Sequence, residues 1–253
     1  MHLDVVDLRE FYESRLGQVA QRLIRKQLRE LWPTMSGLSL LGLGYATPFL
    51  RPFLAEAERV IAIMPAAQGV AHWPPEGPNV AALSDERELP LPDVSIDRLL
   101  LVHALETSEG ARHLLRQAWR VLKSSGQMIV VAPNRRSLWA QIETTPFGHG
   151  HPYTRGQLSR LLRDCMFAPG NFRQALHMPP FASRVLTRTG KEWERAGRRL
   201  WPALSGVLIA EATKQVYGVT PLREAVKEGA RVRVLKPVRG GAALLSHSDK
   251  QSH

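Results

Sequence analysis

The chain has 253 residues, 44% of them hydrophobic and 23% charged, with a formal net charge of +11. That length can hold one large domain or two small ones with a substantial core, and no apolar run is long enough to cross a bilayer as a helix. The one cysteine, Cys165, rules out an internal disulfide, which agrees with a reducing cytoplasmic setting.

The acidic start, Met1 to Asp7, lacks the basic and apolar regions of a signal peptide. Residues 7 to 32 carry Leu8, Phe11, Tyr12, Leu16, Val19, Leu23, Leu28 and Leu31 at helical spacing. This predicts an amphipathic helix or a broken pair, stopped at Trp32-Pro33 and lying across a sheet edge or over the mouth of a site. The apolar run Leu38-Ser39-Leu40-Leu41 then reaches Gly42-Leu43-Gly44-Tyr45-Ala46-Thr47-Pro48, which reads as buried strand, glycine turn and helix. Thr47 is expected to cap that helix and Pro48 to open it, because a proline at the first position forgoes an N–H that has no partner there anyway.

Arg59 to Pro65 reads as a second buried strand, residues 66 to 78 as loop, and Asn79 to Leu83 as a third strand before the polar turn Ser84-Asp85-Glu86-Arg87-Glu88. Ile96 to Val102 ends in a continuous apolar run, the pattern of a central parallel strand covered on both faces, with His103 at its carboxyl end. Residues 109 to 123 predict a helix closed by Gly126 as a left-handed cap, and Gln127 to Ala132 the next strand, ended at Pro133-Asn134. A loop-rich stretch, 135 to 153, leads to a helix capped by Thr154 and running to about Met166, then a strand at 172 to 177 and a basic helix around 184 to 199. Gly206 to Ala212 is read as a last, antiparallel edge strand. Alternating strands and helices of this kind mean an α/β chain with a largely parallel sheet. Residues 219–253, rich in Lys, Arg, Gly and Ser, are expected to form a basic, flexible tail behind a single domain of residues 1–218, whose first 35 residues are a helical segment.

The positive charge is spread in short groups, such as Arg22, Arg25, Lys26 and Arg29 or Arg195, Arg198 and Arg199, without interleaved aromatics. Solvated faces are therefore favoured over a nucleic-acid interface. Cys165, between apolar residues, reads as a packed thiol. The run Pro146-Phe147-Gly148-His149-Gly150-His151-Pro152-Tyr153 offers His149, His151 and Tyr153 as candidate catalytic groups, and Asn134 is a further candidate. A His-x-His zinc site lacks a Cys or acidic partner at ligand spacing, so no metal is expected.

Three motifs then converge: Leu89-Pro90-Leu91-Pro92-Asp93-Val94-Ser95-Ile96-Asp97, His103-Ala104-Leu105-Glu106, and Arg120-Val121-Leu122-Lys123-Ser124-Ser125-Gly126. Together they resemble the class I S-adenosylmethionine-dependent methyltransferases, in their small-molecule branch, over about residues 36 to 215. The resemblance implies a Rossmann-like seven-stranded, mostly parallel sheet with an N-terminal helical extension and an antiparallel last strand. It implies S-adenosylmethionine as cofactor across the carboxyl edge, lined by Gly42, Gly44, Tyr45, Met64, Gln68, Asp85, Glu86 and His103. In that scheme Gly42 and Gly44 let backbone approach the methionine and ribose, Asp85 accepts from the adenine amine, and His103 lies near the reacting methyl.

The family's first loop reads acidic-x-Gly-x-Gly-x-Gly, and its second strand ends on an acidic residue that holds the ribose. Here Leu40, Ala46 and Met64 stand at those places. Hydrogen bonds to charged acceptors contribute about 1.5–3 kcal/mol each, so losing two carboxylates weakens binding roughly one hundred-fold or more unless another group substitutes. Gln68 is the candidate substitute on the ribose. Two readings remain: a methyltransferase acting on a small-molecule acceptor, or a catalytically silent relative that binds a protein partner, for which the N-terminal helix offers a face. Nucleic-acid methylation rests on charge alone.

Overall fold

The computed structural model describes residues 3–180, 194, 197, 199 and 204–216. The N-terminal amphipathic stretch is a broken pair, α1 (Val5–Glu13) and α2 (Arg15–Leu31). Ser14 makes the break. Its N–H closes the first helix on Glu10 O and Phe11 O, and its Oγ accepts from Gly17 N–H to cap the second. Gly17 must be glycine, because a Cβ there would lie 1.9 Å from Phe11 O where the two helices meet.

The sheet is built from seven strands: β1 (Ser39–Gly44), β2 (Arg59–Pro65), β3 (Ala81–Ser84), β4 (Ile96–Val102), β5 (Leu122–Pro133), β6 (Phe167–Ala175) and β7 (Val207–Lys214). Their order is β3-β2-β1-β4-β5-β7-β6. The first five run parallel, and β7 pairs antiparallel with both β5 and β6. The last strand is thus antiparallel as expected but is not an edge: β6 takes the edge and β7 lies inside the sheet. Residue alternation along the strands builds a core on each face. Leu40, Leu100, Val102, Ile129 and Val131 pack with Leu8, Ile24 and Phe49 on one side. Leu41, Leu43, Leu99, Leu101, Met128 and Val130 pack on the other with α4 (Ala111–Val121) and α5 (Arg155–Asp164), through Leu114, Leu115, Leu158 and Leu162. Each such side chain, fully buried, is worth about 1.5–3 kcal/mol.

Two local expectations are corrected. The helix after β1, α3 (Thr47–Leu50), has Ala46 at its cap position with no side-chain bond, and Thr47 is already helical and buried. The chain turns one residue earlier because Ala46 N–H donates to Gly44 O at 2.9 Å. Gly126 does not cap α4. The helix ends at Val121, Leu122 is extended (φ −71, ψ 139) and pairs with Ile96, and residues 122 to 126 belong to the twelve-residue β5. Glycine is needed at 126 for a different reason, since a Cβ would lie 2.9 Å from Lys123 O. Thr154 does cap α5, in a reciprocal box with Gln157. The basic helix read around 184 to 199 falls, apart from residues 194, 197 and 199, outside the described residues, as does the basic tail.

Candidate functional site

The carboxyl ends of β1, β2, β3 and β4 face one way, and the segment after each strand decides which ligands fit there. After β2 and β3 the chain leaves a cavity of about 300 Å³, lined by Pro65 to Gln68, Asp85 to Arg87, Thr107 and Glu109, with Leu3 at its rim. Asp85 is exposed, and its Oδ1 accepts from Arg87 N–H at 2.8 Å, which fixes the turn. Glu86 accepts from Ser108 Oγ at 2.8 Å and so ties the β3 turn to the segment after β4. Gln68 is buried. Its Nε2 donates to His103 O at 2.9 Å, while its Oε1 is buried with no hydrogen-bond partner among the described residues. A buried amide oxygen left unpaired costs about 1–3 kcal/mol.

The ends of β1 and β4 are closed by protein. Gly44 has φ +80, and a Cβ there would lie 2.3 Å from Val102 O, so the glycine lets the loop run against β4. Gly42 is constrained by α3, with Leu50 Cδ1 2.5 Å from the place of a Cβ. Above them sits Tyr12 of α1, stacked on Tyr45 at 5.8 Å and edge-on to Phe49 at 5.5 Å. Tyr12 Oη lies 2.7 Å from His103 Nε2, and His103 Nδ1 lies 3.1 Å from Glu106 Oε1. All three side chains are buried, and Glu106 Oε2 has no hydrogen-bond partner among the described residues. His103 adopts φ +50, which few residues other than glycine tolerate. Burial, with Glu106 and Tyr45 adding to it, pushes the Tyr12 phenol well above the ordinary tyrosine range.

The loop after β5 forms the remaining wall, though through a residue that sequence did not single out. Phe147 is fully buried and packs 5.0 Å from the His103 ring and 5.5 Å from Trp139. His149 turns away, its Nε2 on Glu143 O at 2.7 Å. His151 and Tyr153 line a second, open groove of about 600 Å³ with Arg112, Arg116 and Arg135, which meets the first cavity at Glu109. Burial pushes the Tyr153 phenol, like that of Tyr45, up to about 12. Asn134 is buried and holds the loop to Ser205 through Nδ2, a structural role. Met64, one residue before the end of β2, points into the core and lines neither cavity, and Leu40 is likewise core. Cys165 is buried, and its surroundings raise its thiol pKa, so it is a packed group.

Gln68, Asp85 and Glu86 therefore share one cavity, whereas Tyr45 and His103 share the closed aromatic pocket beside it. Sequence reasoning missed Tyr12, Glu106 and Phe147. A signal existed for two of them: a hydroxyl-bearing tyrosine on an otherwise apolar helix face, and a carboxylate three residues after the strand-end histidine.

This architecture is the one that binds nucleotide-like cofactors at the carboxyl edge of an open α/β sheet. Residues 41–130 match the methyltransferase domain family. Over 114 residues the chain is 32% identical to a protein of Mycobacterium tuberculosis described as a "probable S-adenosylmethionine-dependent methyltransferase", a match covering 44% of this chain and 41% of that protein. Among solved structures it resembles a SAM-dependent methyltransferase of Thermotoga maritima (TM-score 0.57, 18% identity, 83% of this chain and 96% of that one). It also resembles a Burkholderia thailandensis 1,6-didemethyltoxoflavin-N1-methyltransferase solved with S-adenosylhomocysteine (TM-score 0.54, 15% identity, 83% and 85%). The family match over residues 41–130, the curated relative and the shared fold support a methyltransferase domain of the class I S-adenosylmethionine-dependent kind in this chain. Its match spans about two fifths of the curated relative's length, and its likeness to the solved structures is one of fold.

Proposed function

We propose that the protein transfers the methyl group of S-adenosylmethionine to a small-molecule acceptor. The observation that carries this is the polar cavity beyond β2 and β3, lined by Gln68, Asp85 and Glu86, in a chain whose residues 41–130 match the methyltransferase domain family. The residues present fit the adenosine half of the cofactor. Asp85 takes the adenine amine, and Gln68 Oε1 takes a ribose hydroxyl in place of the carboxylate that Met64 replaces. The loop Gly42 to Tyr45 and His103 form the floor for the methionine end, beneath α1. When bound, the cofactor supplies a methyl on a positively charged sulfur that leaves as a neutral thioether. The chain's share is to hold the acceptor in line and exclude water, which is where most of such a rate enhancement arises. Phe147, Trp139 and Tyr12 provide that dry surrounding.

Calorimetric titration with S-adenosylmethionine and S-adenosylhomocysteine tests the reading. Micromolar affinity is expected, falling about tenfold or more in Gln68→Ala as one hydrogen bond to a buried oxygen is lost. No binding at millimolar ligand overturns it and leaves a protein-binding role for the fold.

A further inference from the structure

The pocket beneath α1 holds a chain of three buried groups, Tyr12 Oη to His103 Nε2 at 2.7 Å and His103 Nδ1 to Glu106 Oε1 at 3.1 Å. We propose that His103 and Glu106 are a general-base pair for an aromatic hydroxyl, so that the acceptor is a phenol whose O–H takes the place now held by the Tyr12 hydroxyl. The proposal rests on the methyl-transfer reading above.

Donor and acceptor chemistry sets the direction of the chain. A carboxylate only accepts, so His103 Nδ1 carries the hydrogen toward Glu106 and Nε2 turns its lone pair to the hydroxyl. An imidazole oriented by a carboxylate and facing an O–H is the arrangement by which unrelated enzymes activate hydroxyl nucleophiles. A purely structural Tyr–His contact has no need of the acid. Glu106 is 1% exposed and its Oε2 has no hydrogen-bond partner among the described residues, an expensive group to bury for packing alone. The strand-end histidine is also held in place: Gln68 Nε2 binds its carbonyl, and Phe147 packs against its ring.

The shape of the pocket names the acceptor class. Tyr12 is itself a phenol, with its ring against Tyr45 and Phe49 and its hydroxyl on the base. It belongs to α1, which lies outside the sheet; its first turn is tied to the body by Val5 N–H on Gln68 O at 2.8 Å, and its last turn, which carries Tyr12, rests on α2 at Gly17. Displacing this helix end opens a slot already fitted to a flat hydroxylated ring. In the reaction the acceptor's O–H proton passes to His103 Nε2. The oxygen bonds to the methyl carbon as the carbon–sulfur bond breaks, its electron pair staying on sulfur. The products are a methyl ether, the thioether and an imidazolium paired with Glu106, which then returns its proton to water. His103 is the catalytic residue and Glu106 the positioning one.

The test uses Tyr12→Gly in the full chain with p-cresol, the tyrosine side chain as a free molecule. In histidine-labelled protein without cofactor, p-cresol is expected to restore the wild-type ¹⁵N signature of His103 Nε2 that Tyr12→Gly loses. With S-adenosylmethionine added, 4-methylanisole is expected. Adding Glu106→Gln should then lower kcat about 100-fold or more while KM stays within about threefold, the range general bases supply. His103→Asn, which tolerates the positive φ, should abolish turnover. If Tyr12→Gly fails to fold, the wild-type chain at millimolar p-cresol takes its place, with the same two substitutions compared. Absence of p-cresol binding overturns the proposal. So does binding without ether formation while calorimetry shows S-adenosylhomocysteine bound, and in that case the cofactor reading stands. A loss of cofactor binding in every variant and in wild type removes both together.

Discussion

At the ends of β2 and β3 the carboxyl edge of the sheet holds a polar cavity of about 300 Å³, whereas at the ends of β1 and β4 the same edge is filled by rings. The difference lies in what each strand end is asked to support. Asp85 and Glu86 sit on a turn whose own hydrogen bonds are local or to Ser108, so the cavity they line is formed without being part of the core. Tyr12, His103 and Phe147 belong to segments brought together from far apart in the chain, and their mutual packing closes the pocket. Truncations in the closed half should therefore cost stability, whereas changes at the exposed β3 turn of the open half should be read in ligand affinity.

Phe147→Ala is the strongest way to break that division. The ring is 1% exposed and touches His103, Trp139 and Phe11. Truncating a buried phenylalanine costs about 3–5 kcal/mol, transfer and cavity together. Urea unfolding should show a loss of that size, with the midpoint moved and the slope unchanged. A loss below about 1 kcal/mol would mean that the loop can collapse onto the space and that the rings are not one packed unit.

The contrast also explains how much could be read from the chain before its structure. The sheet was legible because its signals are local: Leu99 to Val102 and Met128 to Ala132 are unbroken apolar runs, and α5 announces itself through Thr154 and Gln157. The polar cavity was legible through Asp85 and Gln68, which come within a few residues of their strands' ends. The closed pocket was not, because Tyr12 and His103 meet across 91 positions and nothing in helical spacing says which face of α1 will touch β4. Gly126 misled for a related reason. A glycine after a helix is commonly a left-handed cap, but strand pairing of Leu122 with Ile96 takes over the chain before a cap can form. Met64 shows the same limit at the family level. The position where the resemblance implies a ribose-binding carboxylate carries the apolar Met64, which turns into the core.

A second, smaller effect separates the cover from the body. Tyr12→Phe keeps the ring and removes only the hydroxyl, leaving His103 Nε2 without its partner. Loss of one buried hydrogen bond costs about 1–1.5 kcal/mol. Amide exchange in α1 should therefore speed by roughly tenfold, because that helix opens locally, while the amides of β4 and β5 keep their protection. Equal acceleration in α1 and in the central strands would show that the cover and the sheet unfold as one.

The smallest effect on stability, and the cleanest contrast with Phe147, belongs to Asp85→Ala. The side chain is exposed and its one intramolecular bond is to Arg87 N–H, so unfolding should change by less than about 1 kcal/mol. Its charge nevertheless faces the cavity where the adenine amine is proposed to sit. A hydrogen bond to a charged acceptor contributes about 1.5–3 kcal/mol, so S-adenosylhomocysteine affinity should fall at least tenfold. The open half is then a surface that recognises without supporting. If affinity is unchanged, the adenine does not lie against the β3 turn. If stability falls by several kcal/mol instead, the turn is part of the core and the division between the two halves of the edge is wrong.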